Sequence, residues 1–210
     1  MIASGLRKWL AFGSGVGICV EGPRGAENLR VAAVRLQPGR AKLAGDLLIQ
    51  DFRTRPAVEW GAEYASFVGK LGLQHVAATV ILPRHEVILR QIALPGVTDK
   101  DLDAAISFQL DTLHPYNEGD VVASWARLEG SDAVAVAIAR RDHVDAYVTL
   151  FAEAGIKLAG FTCSGIAVYS ALRVFGAKPA QPLLAVEYSE SGVEIYGESA
   201  AKPLLSVAFD

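Results

Sequence analysis

Two separated stretches of this chain carry the same pattern, and that recurrence constrains the fold more than any other feature. Near the start, apolar runs at residues 16–20, 28–36 and 42–50 are divided by Gly22, Gly25, Pro38 and Gly39. Short apolar runs between turn formers predict a three-stranded meander. Near the end, residues 183–188, 193–197 and 204–209 repeat strand, turn, strand, turn, strand. They follow a stretch at 178–182 with two prolines and no apolar pattern, which reads as a linker. The opening architecture begins again, as in a chain with internal repetition.

Between the two meanders the periodicity changes. Trp60, Tyr64, Phe67, Val68 and Leu71 fall on one helical face after Pro56, and Gly72 ends the pattern. Runs at 76–82 and 87–94, split by Pro83 and Arg84, predict a pair of strands closed by Pro95 and Gly96. Thr98 is the expected N-cap of a helix with Asp99 and Asp101 in its first turn and Leu102, Ile106, Leu110 and Leu113 on one face, ending before Pro115. Strands follow at 121–128 and 133–139. The second is almost wholly apolar and is expected at the centre of a sheet, buried on both faces. Asp142 is the expected cap of a helix presenting Val144, Tyr147, Val148 and Phe151 and stopped by Gly155. A short strand at 158–161 and a helix at 164–175 complete the middle.

With 210 residues, 51% of them hydrophobic, the chain can bury a substantial core. Its apolar runs, such as 133–139, fall far short of the roughly 20 residues that span a bilayer. Residues 1–12 carry Arg7 and Lys8 without the apolar core of an export signal. Cys19 and Cys163 have neither disulfide-framework nor zinc-site spacing, which fits a reducing cytoplasm. Residues 1–60 hold nine Lys/Arg against five Asp/Glu, a net of +4, whereas residues 61–210 hold 11 against 18, a net of −7. So acidic a body argues against nucleic acid as a partner. A basic front remains able to meet an anionic membrane surface locally.

From residue 76 onward the order of features resembles the type IV pilus assembly PilM family and, more distantly, the cytoplasmic domain of GspL and the cell-division protein FtsA. The residues that carry the likeness are Ile92-Ala93-Leu94-Pro95, the acidic helix start after Thr98, Leu113-His114-Pro115-Tyr116, the run 133–139, Phe151-Ala152-Glu153-Ala154-Gly155-Ile156 and the stretch 161–173. The resemblance implies an α/β (mixed α+β) fold: an actin-like, ribonuclease H-like subdomain, a small inserted α+β subdomain, and the start of a second actin-like half. The implied divisions are a flexible or amphipathic segment at 1–15, a first subdomain at 16–75, the insert at 76–161, a return helix at 162–178 and the second half from 183 to 210. The second half is then incomplete.

An actin-like ATPase of this kind would end a strand on an acidic residue before a small-residue turn, so that a carboxylate orients magnesium-bound water and turn amides reach phosphate. Here Cys19 stands where the family's aspartate would be, followed by Val20, Glu21 and Gly22, and a thiol is a poor magnesium ligand. The second turn reads Glu187-Tyr188-Ser189-Glu190-Ser191-Gly192, where a tyrosine and two glutamates are expected to crowd and repel a triphosphate. The turns at Cys19, Glu21, Gly22, Glu187, Ser189 and Gly192 therefore read as a degenerate phosphate site, with no catalytic residue, cofactor or metal expected. Gly13-Ser14-Gly15 precedes a strand rather than following one, so it reads as a flexible lead-in and not a phosphate loop. His85-Glu86 reads as a solvated pair, His75, His114 and His143 as structural, and Cys163 as a buried packing residue.

Without chemistry, function falls to surfaces. Leu6, Trp9 and Leu10 beside Arg7 and Lys8 suit a short amphipathic helix on a membrane or partner. Arg90, Gln91, Ser124 and Arg127 lie on strands of the insert that a partner strand can extend. The resemblance implies a cytoplasmic scaffold, peripheral to an inner membrane, in a pilus or type II secretion platform. It would hold the N-terminal tail of a PilN-like bitopic membrane protein and couple it to a cytoplasmic assembly ATPase. The rival readings are an actin-like ATPase or sugar kinase that uses ATP and magnesium, and a generic α+β interaction module.

Overall fold

The computed structural model describes residues 13–23, 25–37, 40–117, 119–175, 182–189, 192–199 and 202–209. The N-terminal segment with Leu6, Trp9 and Leu10, together with Glu190, Ser191 and most of the linker, lies outside the described residues. Three strands, β1 (Gly13–Glu21), β2 (Asn28–Gln37) and β3 (Arg40–Ile49), form the first antiparallel meander. Gly13 and Gly15, expected as lead-in, are already paired with Leu36 and Val34. Helix α1 (Ala57–Lys70) then returns the chain to β4 (Ala78–Leu82), which lies parallel to β1. Strand β8 (Leu158–Cys163) adds in parallel on the far side of β4 and completes sheet A, in the order β3-β2-β1-β4-β8.

Alternation along the meander puts Val16, Ile18, Val20, Leu29, Val31, Ala33 and Ile49 on one buried face. Helix α1 covers it with Trp60, Tyr64 and Val68 at i, i+4 and i+8. Trp60 sits between Phe52 and Phe151, edge-to-face at 5.8 Å to each. Such pairs add roughly 0.5–1.5 kcal/mol beyond area burial. Helix α1 crosses against α3 (Arg141–Glu153) at Gly61, where a Cβ would stand 2.3 Å from the Ala154 carbonyl oxygen. Only glycine permits that approach.

Between β4 and β8 the chain builds a second sheet. Strands β5 (Val87–Ala93), β6 (Val121–Arg127) and β7 (Ala133–Arg140) pair antiparallel in the order β5-β7-β6, with α2 (Leu102–Gln109) on one face. Central β7 is buried on both faces as expected: Val134, Val136 and Ile138 meet Leu102 and Ile106, while Ala133 and Ala135 turn toward Tyr169 and Tyr196. Sheet B therefore joins two cores.

Several local expectations are corrected. Strands β4 and β5 are not a pair, because Pro83 and a 3-10 turn at Arg84–Glu86 send them into different sheets. Of the span 76–161, expected as one insert, β4 and β8 join sheet A, while β5, β7 and β6 form sheet B. Thr98 is not the N-cap of α2. Its hydroxyl donates to Asp101 at 2.6 Å, and the helix starts at Leu102. The helix yields to a 3-10 turn at Leu110–Thr112, so Leu110 and Leu113 lie beyond it. Asp142 sits in the first turn of α3 rather than at its cap, paired with Arg140, and Val148 faces solvent.

Helix α4 (Ser164–Phe175) follows β8 directly, and after the linker β9 (Leu183–Ser189), β10 (Gly192–Glu198) and β11 (Leu205–Phe209) form the second meander, sheet C. A mixed five-stranded sheet flanked by α1 and α3, followed by a second antiparallel meander, is the α/β architecture expected.

Candidate functional site

The C-terminal ends of β1, β4 and β8 meet the first turn of sheet C across a cleft. Cys19, Glu21 and Gly22 line one side, Leu82, Pro83, Arg84 and His85 the floor, and Glu187, Gly192, Glu194 and Phe209 the other side. Of the six residues singled out from the two turns, Cys19, Glu21, Gly22, Glu187 and Gly192 come to its walls. Ser189 pairs with Gly192 at the β9–β10 turn.

The cleft is small and acidic. Its cavity measures about 80 Å³, against roughly 300–1,000 Å³ for small-molecule sites. Burial first, then the charges of Glu21, Glu187 and Glu194, push the Cys19 thiol up to about 12, so it stays neutral and protonated at pH 7. Glu21 is paired with Arg30 at 2.9 Å and Glu194 accepts from the Ser164 hydroxyl. Arg84 is the only arginine or lysine lining the cleft among the described residues, and it is engaged. Its Nη2 donates to the Ser206 carbonyl at 3.0 Å and its Nε to the Ser206 hydroxyl at 3.2 Å, tying the floor to β11.

Strand alternation corrects one expectation here. Glu187 faces the cleft, so its neighbour Tyr188 points the other way and is 80% exposed. A further carboxylate comes from Glu194 on β10, directly opposite Glu187. A sequence reading confined to turns had no reason to include that mid-strand residue.

His85 is half-buried: it lines the cleft and also a polar hollow beside it, shared with Glu27, Arg53, Glu86, His143 and Tyr147. Buried Glu27 pairs with Arg53 at 3.2 Å, and Arg53 donates to the Tyr147 hydroxyl at 2.6 Å. Burial and nearby Glu86 raise the Tyr147 phenol well above its ordinary value. Cys163 is buried as expected, and burial raises its thiol too.

A third feature was not legible as a site. Leu82, Val87, Val122, Ala123, Ala137, Val144 and Phe161 line an apolar groove of about 260 Å³ at the seam of sheets A and B. Its two walls include β8, an edge strand of sheet A, and β6, an edge strand of sheet B. Of the four insert residues expected to meet a partner, only Ser124 reaches this groove. Gln91 accepts from the Leu204 amide, Arg127 pairs with Asp99 and Arg90 donates to the Leu113 carbonyl, so these three are held within the chain.

No protein-family model and no curated protein matches this sequence. Solved structures do match. The chain is similar to the cytoplasmic domain of EpsL, an inner membrane component of the type II secretion system of Vibrio cholerae, at 12% identity and a TM-score of 0.62, covering 93% of this chain and 71% of that one. It is similar to a chain of a PilM-PilN type IV pilus biogenesis complex at 19% identity and a TM-score of 0.66, covering 93% of this chain and 61% of that one. At these identities the likeness establishes the shared fold.

Proposed function

We propose that this chain is a non-catalytic adaptor on the cytoplasmic face of a pilus- or secretion-type assembly platform, and that it holds the N-terminal tail of a membrane-anchored partner. The observation that carries the reading is the apolar groove between the edge strands β6 and β8. An extended peptide laid there gains main-chain hydrogen bonds from a strand edge and buries apolar side chains against Val122, Val144 and Phe161. A tail of six or seven residues matches the length of those strands.

The cleft supports the same reading from the other side. Three carboxylates, a neutral thiol and an engaged arginine offer a triphosphate repulsion and little room. The two similar proteins come from a type II secretion system and from type IV pilus biogenesis, and the second is a complex of PilM with PilN. We extend that pairing to this chain as a PilN-like tail, with a cytoplasmic assembly ATPase as the further partner to which the platform is coupled.

The test is a titration with a synthetic peptide of the N-terminal cytoplasmic tail of a PilN-like protein. Micromolar binding, abolished when Ala123 is replaced by Trp to fill the groove, is the expected result. Unchanged affinity for that variant removes the groove as the docking site.

A further inference from the structure

Sheet A is electrically polarised along its strands. Its C-terminal end is the acidic cleft. At the opposite end stand Arg35 and Arg40 on the β2–β3 hairpin, Lys42 beside them, Lys70 in the last turn of α1, and Lys157 just before β8. All five are exposed, and none has an ion-pair partner among the described residues. Glu153, at the end of α3, is the carboxylate nearest in sequence to Lys157.

Register shows that the hairpin cations share a face. Arg35 stands directly opposite Lys42, and Gln37 directly opposite Arg40. Arg35 also donates to the Leu71 carbonyl at 3.3 Å, which brings the end of α1, with Lys70, against them. Like charges directly opposite in an antiparallel pair oppose folding. An anionic surface laid against them removes that repulsion.

We infer that this end of sheet A docks on an anionic phospholipid bilayer. Four to eight clustered cations are what such a surface recognises. The acidic cleft and the net charge of −3 set it against nucleic acid as the occupant. Bilayer is favoured over an acidic protein by the adjoining sequence. Strand β1 starts at Gly13, beside Leu36 and, through it, Ala41. The sequence leading to Gly13 contains Arg7 and Lys8 among Leu6, Trp9 and Leu10, a composition suited to the headgroup boundary. The inference deepens the adaptor reading by supplying a lipid contact, and its test needs no tail peptide, so either can fail alone.

The experiment is co-sedimentation of the purified chain with vesicles of phosphatidylcholine, with and without phosphatidylglycerol. Binding is expected only to the anionic vesicles, with release at roughly 1 M salt, where the screening length falls to about 3 Å. The double variant Arg40→Ala, Lys42→Ala is expected to bind about 25-fold more weakly, at about fivefold per cation. Lys100→Ala with Lys202→Ala, which removes the same charge elsewhere, is expected to bind like the parent. Binding to both kinds of vesicle alike, to neither, or equal weakening by the two double variants overturns the inference. Preference for soluble poly-glutamate over vesicles overturns it in favour of a protein partner.

Discussion

The two meanders have one topology and opposite surroundings. On the first, alternate residues from Val16 to Val20 on β1 and from Leu29 to Ala33 on β2 are buried under α1, α3 and the Phe52-Trp60-Phe151 stack. On the second, the corresponding face carries Leu184, Val186 and Tyr188 on β9, paired across β10 through Gly197, Ile195 and Val193 to Leu205, Val207 and Phe209 on β11. Leu184 is 64% exposed and Phe209 56%. Among the described residues, sheet C is held mainly from its other face. There Tyr196, Glu198 and Leu204 meet α4 and the β6–β7 hairpin, and Arg84 reaches Ser206. The contrast separates what folds the molecule from what closes its cleft: the first meander carries its own core, while the second depends on a polar and aromatic seam.

The largest effects should come from breaking the covered side. Trp60→Ala removes the centre of the aromatic stack and should cost about 3–5 kcal/mol in urea unfolding. Gly61→Ala should also be severe, because the new methyl meets the Ala154 backbone at 2.3 Å; a markedly lowered unfolding midpoint in the same assay checks it. At the seam, Arg173 donates to Glu198 at 2.7 Å, and that carboxylate is 6% exposed. Arg173→Met leaves buried Glu198 with the Tyr196 hydroxyl but no cation, and should destabilise by about 3 kcal/mol. Faster amide exchange should appear in β9–β11 while β1 and β2 keep their protection. Uniform loss of protection would mean that the meanders unfold as one unit.

Smaller still is the chemistry of the cleft. Because burial and three carboxylates hold the Cys19 thiol protonated, alkylation by iodoacetamide at pH 8 should be far slower in the native chain than in urea. The folded state binds this proton more tightly than the unfolded one, which loses it near the ordinary 9.0. The associated stability is therefore present below pH 9 and lost as pH rises toward 12. Rapid native alkylation would show a cleft more open or less acidic than described. Least of all, Tyr188→Ser on the bare face should change stability by no more than about 0.5 kcal/mol.

Both meanders, the helix after Pro56 and buried β7 were legible because periodicity and turn formers are local. Thr98 and Asp142 misled because a short polar residue before an apolar stripe signals only the neighbourhood of a helix start, and here each finds a side-chain partner instead. The separation of β4 from β5 was not legible, since pairing is decided by sheet A claiming β4 between its parallel neighbours β1 and β8. At the cleft, Cys19, Glu21 and Glu187 were found from turn chemistry. Glu194 and Arg84 were missed because only the docking of sheet C brings a mid-strand glutamate and a 3-10 turn to the same wall. The groove was invisible for a similar reason, being made of ordinary strand residues from two sheets.

A non-catalytic adaptor requires a cleft too tight and too negative for a nucleotide. Calorimetric titration of the chain with ATP and magnesium measures that directly. No binding tighter than millimolar and no turnover is the predicted result. Micromolar binding accompanied by phosphate release would contradict it.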